Sequence, residues 1–430
     1  MKTHGKGGVL ALALAFCTLS LSATHASAAA VELQMYYPVA VGGGVSKIVD
    51  GMVQRFEAQH PEIKISPVYT GDYATTITKA LTAYKGGTPP QIAVIGDIEV
   101  YSLIDAGAIQ PVSDLAQGDD GKAWLDSFYP AFMRNIDGKT WGVPFQRSTI
   151  VMYWNKDAFQ HAGLDPEQPP QNWDEVVEFG KKLTTEQGPN GRQWGIEVPS
   201  NAPLGYWLLQ GFSATNGGRL DNGKGTAVNY AQPETVEALT FMRDLSVKEK
   251  VSPTGTIAWS TTPQDFLDSR AAMIVTTTGN LGAIRQGAKF PFGIAMLPEK
   301  AGRGSPTGGG NLYVFSKISP EQRDAATTFI RWLTEPEQAA EWSIATGYVA
   351  TSPAAWETSA MQDYVKQVPQ SLVAREQLQY AQPELATYEN SRVQDALNQA
   401  VEAVVTGAKE PKVALEEAQR QADRILRRYQ

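Results

Sequence analysis

A regular alternation of strand-like and helix-like segments after residue 30 is the strongest constraint on what this chain can become. Residues 33–37 read as a short apolar strand. Beyond the glycines at 42–44, Ser46 is placed to cap a helix in which Ile48, Val49, Met52, Val53 and Phe56 recur at helical spacing. Pro61 ends that helix, and Ile63–Tyr69 alternates as a half-buried strand does. A second helix carries Ile77, Leu81 and Tyr84 up to Gly86-Gly87, and residues 91–95 form a buried strand running into Gly96-Asp97. Strands alternating with helices predict an α/β fold around a parallel sheet, whose ligand loops lie at the carboxyl ends of the strands. Tyr73, Gly96 and Asp97 fall in such loops.

The same alternation continues in a second block. Residues 141–154 are strand-rich, Asn172 with Glu175 has the spacing of a capping box, and Asp221-Asn222-Gly223 is a turn signal. Residues 272–279 read as a strand ending in small polar residues. Ser319-Pro320-Glu321-Gln322 and residues 334–337 both look like helix starts, and residues 413–428 close the chain as a helix. At 430 residues the chain is long enough for two or three domains.

The first 28 residues have a separate logic. Lys2 and Lys6 precede an apolar core at 9–21, and Ala26-Ser27-Ala28 supplies the small residues of a cleavage site. The segment reads as an export signal cut after Ala28 or Ala30, which directs the protein to a periplasm. Cys17 lies inside the apolar core, so the mature chain is free of cysteine and depends on a large core rather than disulfides.

Charge and residue usage remove several function classes. Lys and Arg number 37 against 45 Asp and Glu, so no nucleic-acid partner is expected. The mature chain keeps only His60 and His161, too few for a His/Cys zinc site, and no metal or other cofactor is expected. There is no Gly-x-Ser-x-Gly elbow. Gly138-Lys139-Thr140 matches the tail of a phosphate-binding loop, but Met133 stands where its first glycine belongs. Gly42-Gly43-Gly44 and Gly308-Gly309-Gly310 have backbone N–H groups to offer an anion, a weak signal by itself. An exported glycosidase using a carboxylate such as Asp97 competes with a binding protein, although no local pair of acids marks it.

Three stretches then carry a resemblance. They are Gly138-Lys139-Thr140-Trp141-Gly142-Val143-Pro144-Phe145, Tyr153-Trp154-Asn155-Lys156-Asp157-Ala158-Phe159, and Ala162-Gly163-Leu164-Asp165 leading to Asn172-Trp173-Asp174-Glu175. Together they resemble the large bacterial extracellular solute-binding proteins, the capture components of ABC importers. Gly71-Asp72-Tyr73, Ser148-Thr149, Ala339-Ala340-Glu341-Trp342 and Thr346-Gly347-Tyr348 add to the likeness, which is greatest to the branch that binds glycerol 3-phosphate. The resemblance implies a two-lobe periplasmic-binding-protein fold, with the ligand in an interlobe cleft and crossing segments near 144–149, 273–278 and 326–334. Lobe I would comprise 29–145 and 277–328, and lobe II 146–276 and 329–430. A monomer, a small-molecule ligand and permease partners are also implied, with no catalysis.

By the same resemblance, phosphate contacts fall on Tyr73, Ser148, Gly309, Tyr348 and Arg392. Arg392 follows Asn390-Ser391, a plausible helix cap. The polyol side departs from the family: Asp97 replaces a glutamate, Thr277 a serine, and Tyr206 stands near a tryptophan position. Arg147 occupies the place of a small polar residue, either as a second cation in the cleft or in a salt bridge at the lobe interface. The implied ligand is a phosphorylated polyol, such as sn-glycerol 3-phosphate or a glycerophosphodiester. The alternative is a neutral sugar on aromatic platforms such as Tyr206, Trp207 and Trp259.

Overall fold

The computed structural model describes residues 29–42 and 44–430. Residues 1–28, expected as an export signal, therefore lie outside the described residues. Strand β1 (Val31–Tyr37) pairs in parallel with β2 (Ile63–Tyr69) on one side and β3 (Ile92–Gly96) on the other. Helix α1 (Val45–Gln59) connects the first two and buries Val45, Val49, Met52, Val53 and Phe56 in a core with Leu33, Met35, Ile63 and Ile65. The helix starts one residue before the expected Ser46 cap, behind Gly44 and with no side-chain cap. Burial of Val45 accounts for this, because an apolar contact in the core outweighs a cap by the Ser46 hydroxyl. Helix α2 (Tyr73–Lys85) is capped: the Asp72 carboxylate accepts from the Thr75 N–H, which fixes Tyr73 as its first residue.

Strand β4 (Val143–Asn155) joins the two halves of the molecule. All thirteen of its residues are buried. In the second half, β5 (Thr185–Gly188) and β6 (Gly191–Glu197) form an edge hairpin, with β7 (Ala271–Thr277) and β8 (Phe292–Met296) following along the chain. Strand β9 (Ser305–Val314) returns to the first half, and a short β10 (Ala381–Gln382) pairs with its start. Residues 143–149 of β4 pair antiparallel with β9, whereas 150–155 pair with β7 and β8. The order is β2-β1-β3-β9-β4-β7-β6-β5, one continuous sheet.

The sheet is thus mixed rather than parallel, because the two strands running between the halves are antiparallel to each other and β9 is antiparallel to β3. Gly309 is where this pairing bends. Its φ is +91°, and a Cβ there would lie 1.7 Å from the Gln146 carbonyl oxygen. The register then slips between Gly310 and Asn311.

Two cores flank the joining strands. The second contains Ile150, Met152 and Trp154, the buried face of α3 (Trp173–Leu183) and much of α4 (Gly205–Thr215) and α5 (Pro233–Val247). On α3, Asn172 accepts from the Glu175 N–H and its amide meets the Glu175 carboxylate, as the capping spacing predicts. Helix α6 (Pro320–Leu333) has the full Ser319/Gln322 capping box. Helix α7 (Pro336–Thr346) begins behind Glu335 instead of Thr334, whose hydroxyl donates back to the Ile330 and Arg331 carbonyls. Of residues 326–334, expected as a crossing, 326–333 are the last part of α6 and Thr334 is its C-cap. Ala325 and Ala326 on one side of residue 328, and Phe329, Ile330 and Leu333 on the other, join the core of β1. Helices α8 (Asn390–Val405) and α9 (Pro411–Leu426) complete the second core.

The approach at Gly309 makes a stability prediction. Gly309→Ala should lower urea-unfolding stability by more than the ~1–3 kcal/mol of a left-handed backbone alone. Gly87→Ala, at φ +83° with open space around it, should show only the backbone part. Equal losses at the two positions would refute a steric demand at Gly309.

Candidate functional site

Between the two cores lies a buried polar network built on β4, β9 and the end of β3. Asp97, just past β3, is 3% exposed. Its Oδ2 accepts from Arg134 Nε at 3.1 Å and Nη2 at 2.9 Å, and its Oδ1 accepts from Asn311 Nδ2 at 2.9 Å. Arg147, on β4, donates from Nη1 to Asn311 Oδ1 at 3.1 Å and from Nη2 to Thr307 Oγ1 at 3.2 Å. Asn311 therefore bridges carboxylate and guanidinium, which fixes the orientation of its amide. Arg134 also donates to the Glu384 carbonyl at 3.0 Å, and the Glu384 carboxyl accepts from the Tyr206 hydroxyl.

Electrostatics separates the two acids. Burial alone would raise the Asp97 carboxyl, but the guanidinium groups of Arg134 and Arg147, with the Arg134 and Asn311 hydrogen bonds, hold it below the ordinary carboxylate range. Glu384 goes the other way. Burial pushes it up to about 8, against the opposing effects of Tyr206 and Arg147, so it is mostly neutral at pH 7. Two guanidinium groups thus face one ionised carboxylate.

A phenolic cluster adjoins this network. Tyr73 Oη donates to Gln146 Oε1 at 2.8 Å and lies beside the Tyr348 phenol. Burial raises Tyr73 well above its usual value and Tyr348 to about 12, so both are neutral donors at pH 7. Tyr348 stacks on Trp342, and the next N–H, that of Val349, donates to the Arg147 carbonyl at 2.8 Å. Ser148 is paired across the strands with Gly308. Thr277 ends β7, and its hydroxyl accepts from the Gly279 N–H at 3.1 Å. The Trp207 indole donates to the Thr307 carbonyl and meets Trp259 edge-on at 5.8 Å.

The structure brings Asp97, Arg147 and Tyr206 into one network and sets Tyr73, Gly309 and Tyr348 beside it. It does not bring Arg392 there. That side chain is 65% exposed, 3.4 Å from Glu389, and lines an open groove of about 400 Å³ with Gln421, Arg424 and Arg428. The reason is local. Helix α8 starts behind Glu389 in a left-handed conformation without a side-chain cap, and Asn390 turns inward to Glu99 and the Thr387 N–H. Arg392, two residues on, faces solvent.

Sequence reading missed Arg134, Asn311 and Glu384. Arg134 follows Phe132 and Met133, and Glu384 precedes Leu385 and Ala386. A charge isolated among apolar residues was the available signal, but neither belongs to a motif.

The halves touch around this network. Tyr101 packs on Tyr388 at 5.0 Å and donates to the Gly223 carbonyl, while Asn390 Nδ2 donates to Glu99. Among the described residues, no group of three or more His, Cys, Asp or Glu side chains is placed to hold a metal ion. No described helix is long and apolar enough to cross a membrane.

Residues 51–370 match the family described as bacterial extracellular solute-binding protein. The chain belongs to this family. It is 31% identical over 433 residues to the sn-glycerol-3-phosphate-binding periplasmic protein UgpB of Salmonella paratyphi A, covering 96% of each chain. In structure it is similar to UgpB of Mycobacterium tuberculosis, solved with glycerophosphocholine, at a TM-score of 0.81 and 24% identity over 94% of this chain and 99% of that one. It is also similar to the cyclic alpha-maltosyl-1,6-maltose binding protein of Arthrobacter globiformis, at 0.78 and 26% over 93% and 100%. These neighbours have the two-lobe architecture seen here, and the family's members are capture proteins of ABC importers rather than enzymes.

Glu384 makes a pH prediction. A carboxyl whose folded value lies above its unfolded value favours the folded state less as pH rises from about 4.5 towards 8. Glu384→Gln keeps the shape and removes the ionisation. Melting temperatures should converge near pH 4, and the variant should gain on the parent as pH rises to 8. Parallel curves across that window would contradict the raised value.

Proposed function

We propose that this receptor captures a phosphorylated polyol, such as sn-glycerol 3-phosphate or a glycerophosphodiester, by closure of its two lobes. The observation that carries the reading is the surplus of buried positive charge: Arg134 and Arg147 against the single ionised carboxylate of Asp97. A phosphate loses its water on entering a closing cleft, and charge-assisted donors are what offset that cost. The kinship with glycerol-3-phosphate-binding proteins supports the same ligand class. Lobe I on this reading extends through residues 329–348, since Trp342 and Tyr348 share its core. The protein would reside in the periplasm after loss of its leader, work as a monomer, and deliver its ligand to permease subunits.

A neutral sugar is the second reading. The Trp207–Trp259 pair and a carboxylate able to accept from hydroxyl groups favour it. Both Asp97 oxygens are already held by donors, which argues against its service as a free catalytic base.

Thermal shift separates the readings. Ligand at 100 times its dissociation constant should add ~2.7 kcal/mol to the folded state. Phosphate esters should raise the melting temperature, while maltose and trehalose should leave it unchanged. A shift with neutral sugars alone would transfer the assignment to the second reading, and product release from a glycoside would make the protein an enzyme.

A further inference from the structure

Arg147 is a buried cation with no carboxylate of its own. Its side chain is 1% exposed. The acceptors of its two hydrogen bonds, Asn311 and Thr307, are neutral. The nearest anionic oxygen, Asp97 Oδ2, is 3.9 Å from Nη2 and already accepts two hydrogen bonds from Arg134. The Arg147 Nε–H is buried without any acceptor, and the Phe132 ring stands 5.2 Å from the guanidinium carbon. A buried guanidinium is tolerated when opposite charge and a full set of acceptors surround it. Here the Nε–H and one unit of charge are unmatched.

Arg134 and Arg392 are differently placed. Arg134 spends two donors on Asp97 and one on the Glu384 carbonyl. Arg392 is solvated and pairs with Glu389, so its charge needs nothing from a ligand. We infer that Arg147 is the residue that pairs with the phosphate of the ligand and sets the preference for anionic over neutral solutes, in the role the family resemblance gives to Arg392. This assignment rests on the phosphate-ester reading above. Asp97 then restrains the guanidinium from one side, with Asn311 and Thr307 holding its plane, and the ligand oxygen takes the remaining edge.

Isothermal titration of the parent, Arg147→Gln, Arg147→Lys and Arg392→Ala with sn-glycerol 3-phosphate and glycerophosphocholine tests this, with circular dichroism melts confirming the fold. Arg147→Gln should bind at least about 10-fold more weakly. Lysine keeps the charge without the planar fork and should recover part of the loss. Arg392→Ala should bind as the parent does. If the parent binds an ester and Arg147→Gln binds it equally, the inference fails while the phosphate-ester reading stands. A parent that ignores both esters overturns that reading and the inference with it. Should Arg147→Gln not fold, Asp97→Asn decides. Removing the competing carboxylate should hold or raise ester affinity, and a 10-fold fall would assign recognition to Asp97 and sink the inference.

Discussion

The antiparallel pairing of Val143–Asn155 with Ser305–Val314 is the constraint on which the rest of this structure depends. The first strand continues from one core into the other, so the same backbone that sets the sheet register also positions Gln146, Arg147 and Ser148 between the lobes. Because strand side chains are fixed relative to the pleat, a slip of one residue would turn Arg147 away from Asn311 and Thr307. Gly309 makes this register attainable, since only a residue without a Cβ fits against the Gln146 carbonyl.

Electrostatic asymmetry follows from that placement. Two arginines, an aspartate and a glutamate, at positions 134, 147, 97 and 384, are drawn into one low-dielectric region. Asp97 is ionised because two guanidinium groups face it, whereas Glu384 stays protonated because burial outweighs the Tyr206 hydrogen bond and the distant guanidinium charge that favour its ionised form. Identical carboxyl chemistry therefore serves opposite ends. The result is a centre with more positive than negative charge, in a protein whose overall balance is −8. Net charge of the chain and charge of the site are independent quantities.

Much of the architecture was legible along the chain because it depends on local pattern. The apolar period of α1, the alternation of Ile63–Tyr69 and the Ser319/Gln322 box each act within a few residues. The resemblance likewise rested on contiguous segments around residues 138–175. Legibility failed where a local signal met a stronger tertiary demand. Ser46 lost the cap to burial of Val45, and Thr334 ended one helix instead of starting the next. Asn390-Ser391, which looked like a cap, became the first turn of α8 because Asn390 was recruited to Glu99.

What the sequence by itself determined was the set of elements and the family, since hydrophobic period, turn residues and contiguous motifs are properties of neighbours in the chain. Tertiary structure alone decided which charges meet. Asp97, Arg134, Arg147, Asn311 and Glu384 are separated by up to 287 positions in the numbering, and no spacing rule connects them. Their contacts arise only where two strands cross between the cores. The physical reason is that burial creates the charge problem: an arginine is indifferent to a distant carboxylate in water, and it becomes a candidate anion anchor only where solvent is excluded and its own partner is missing.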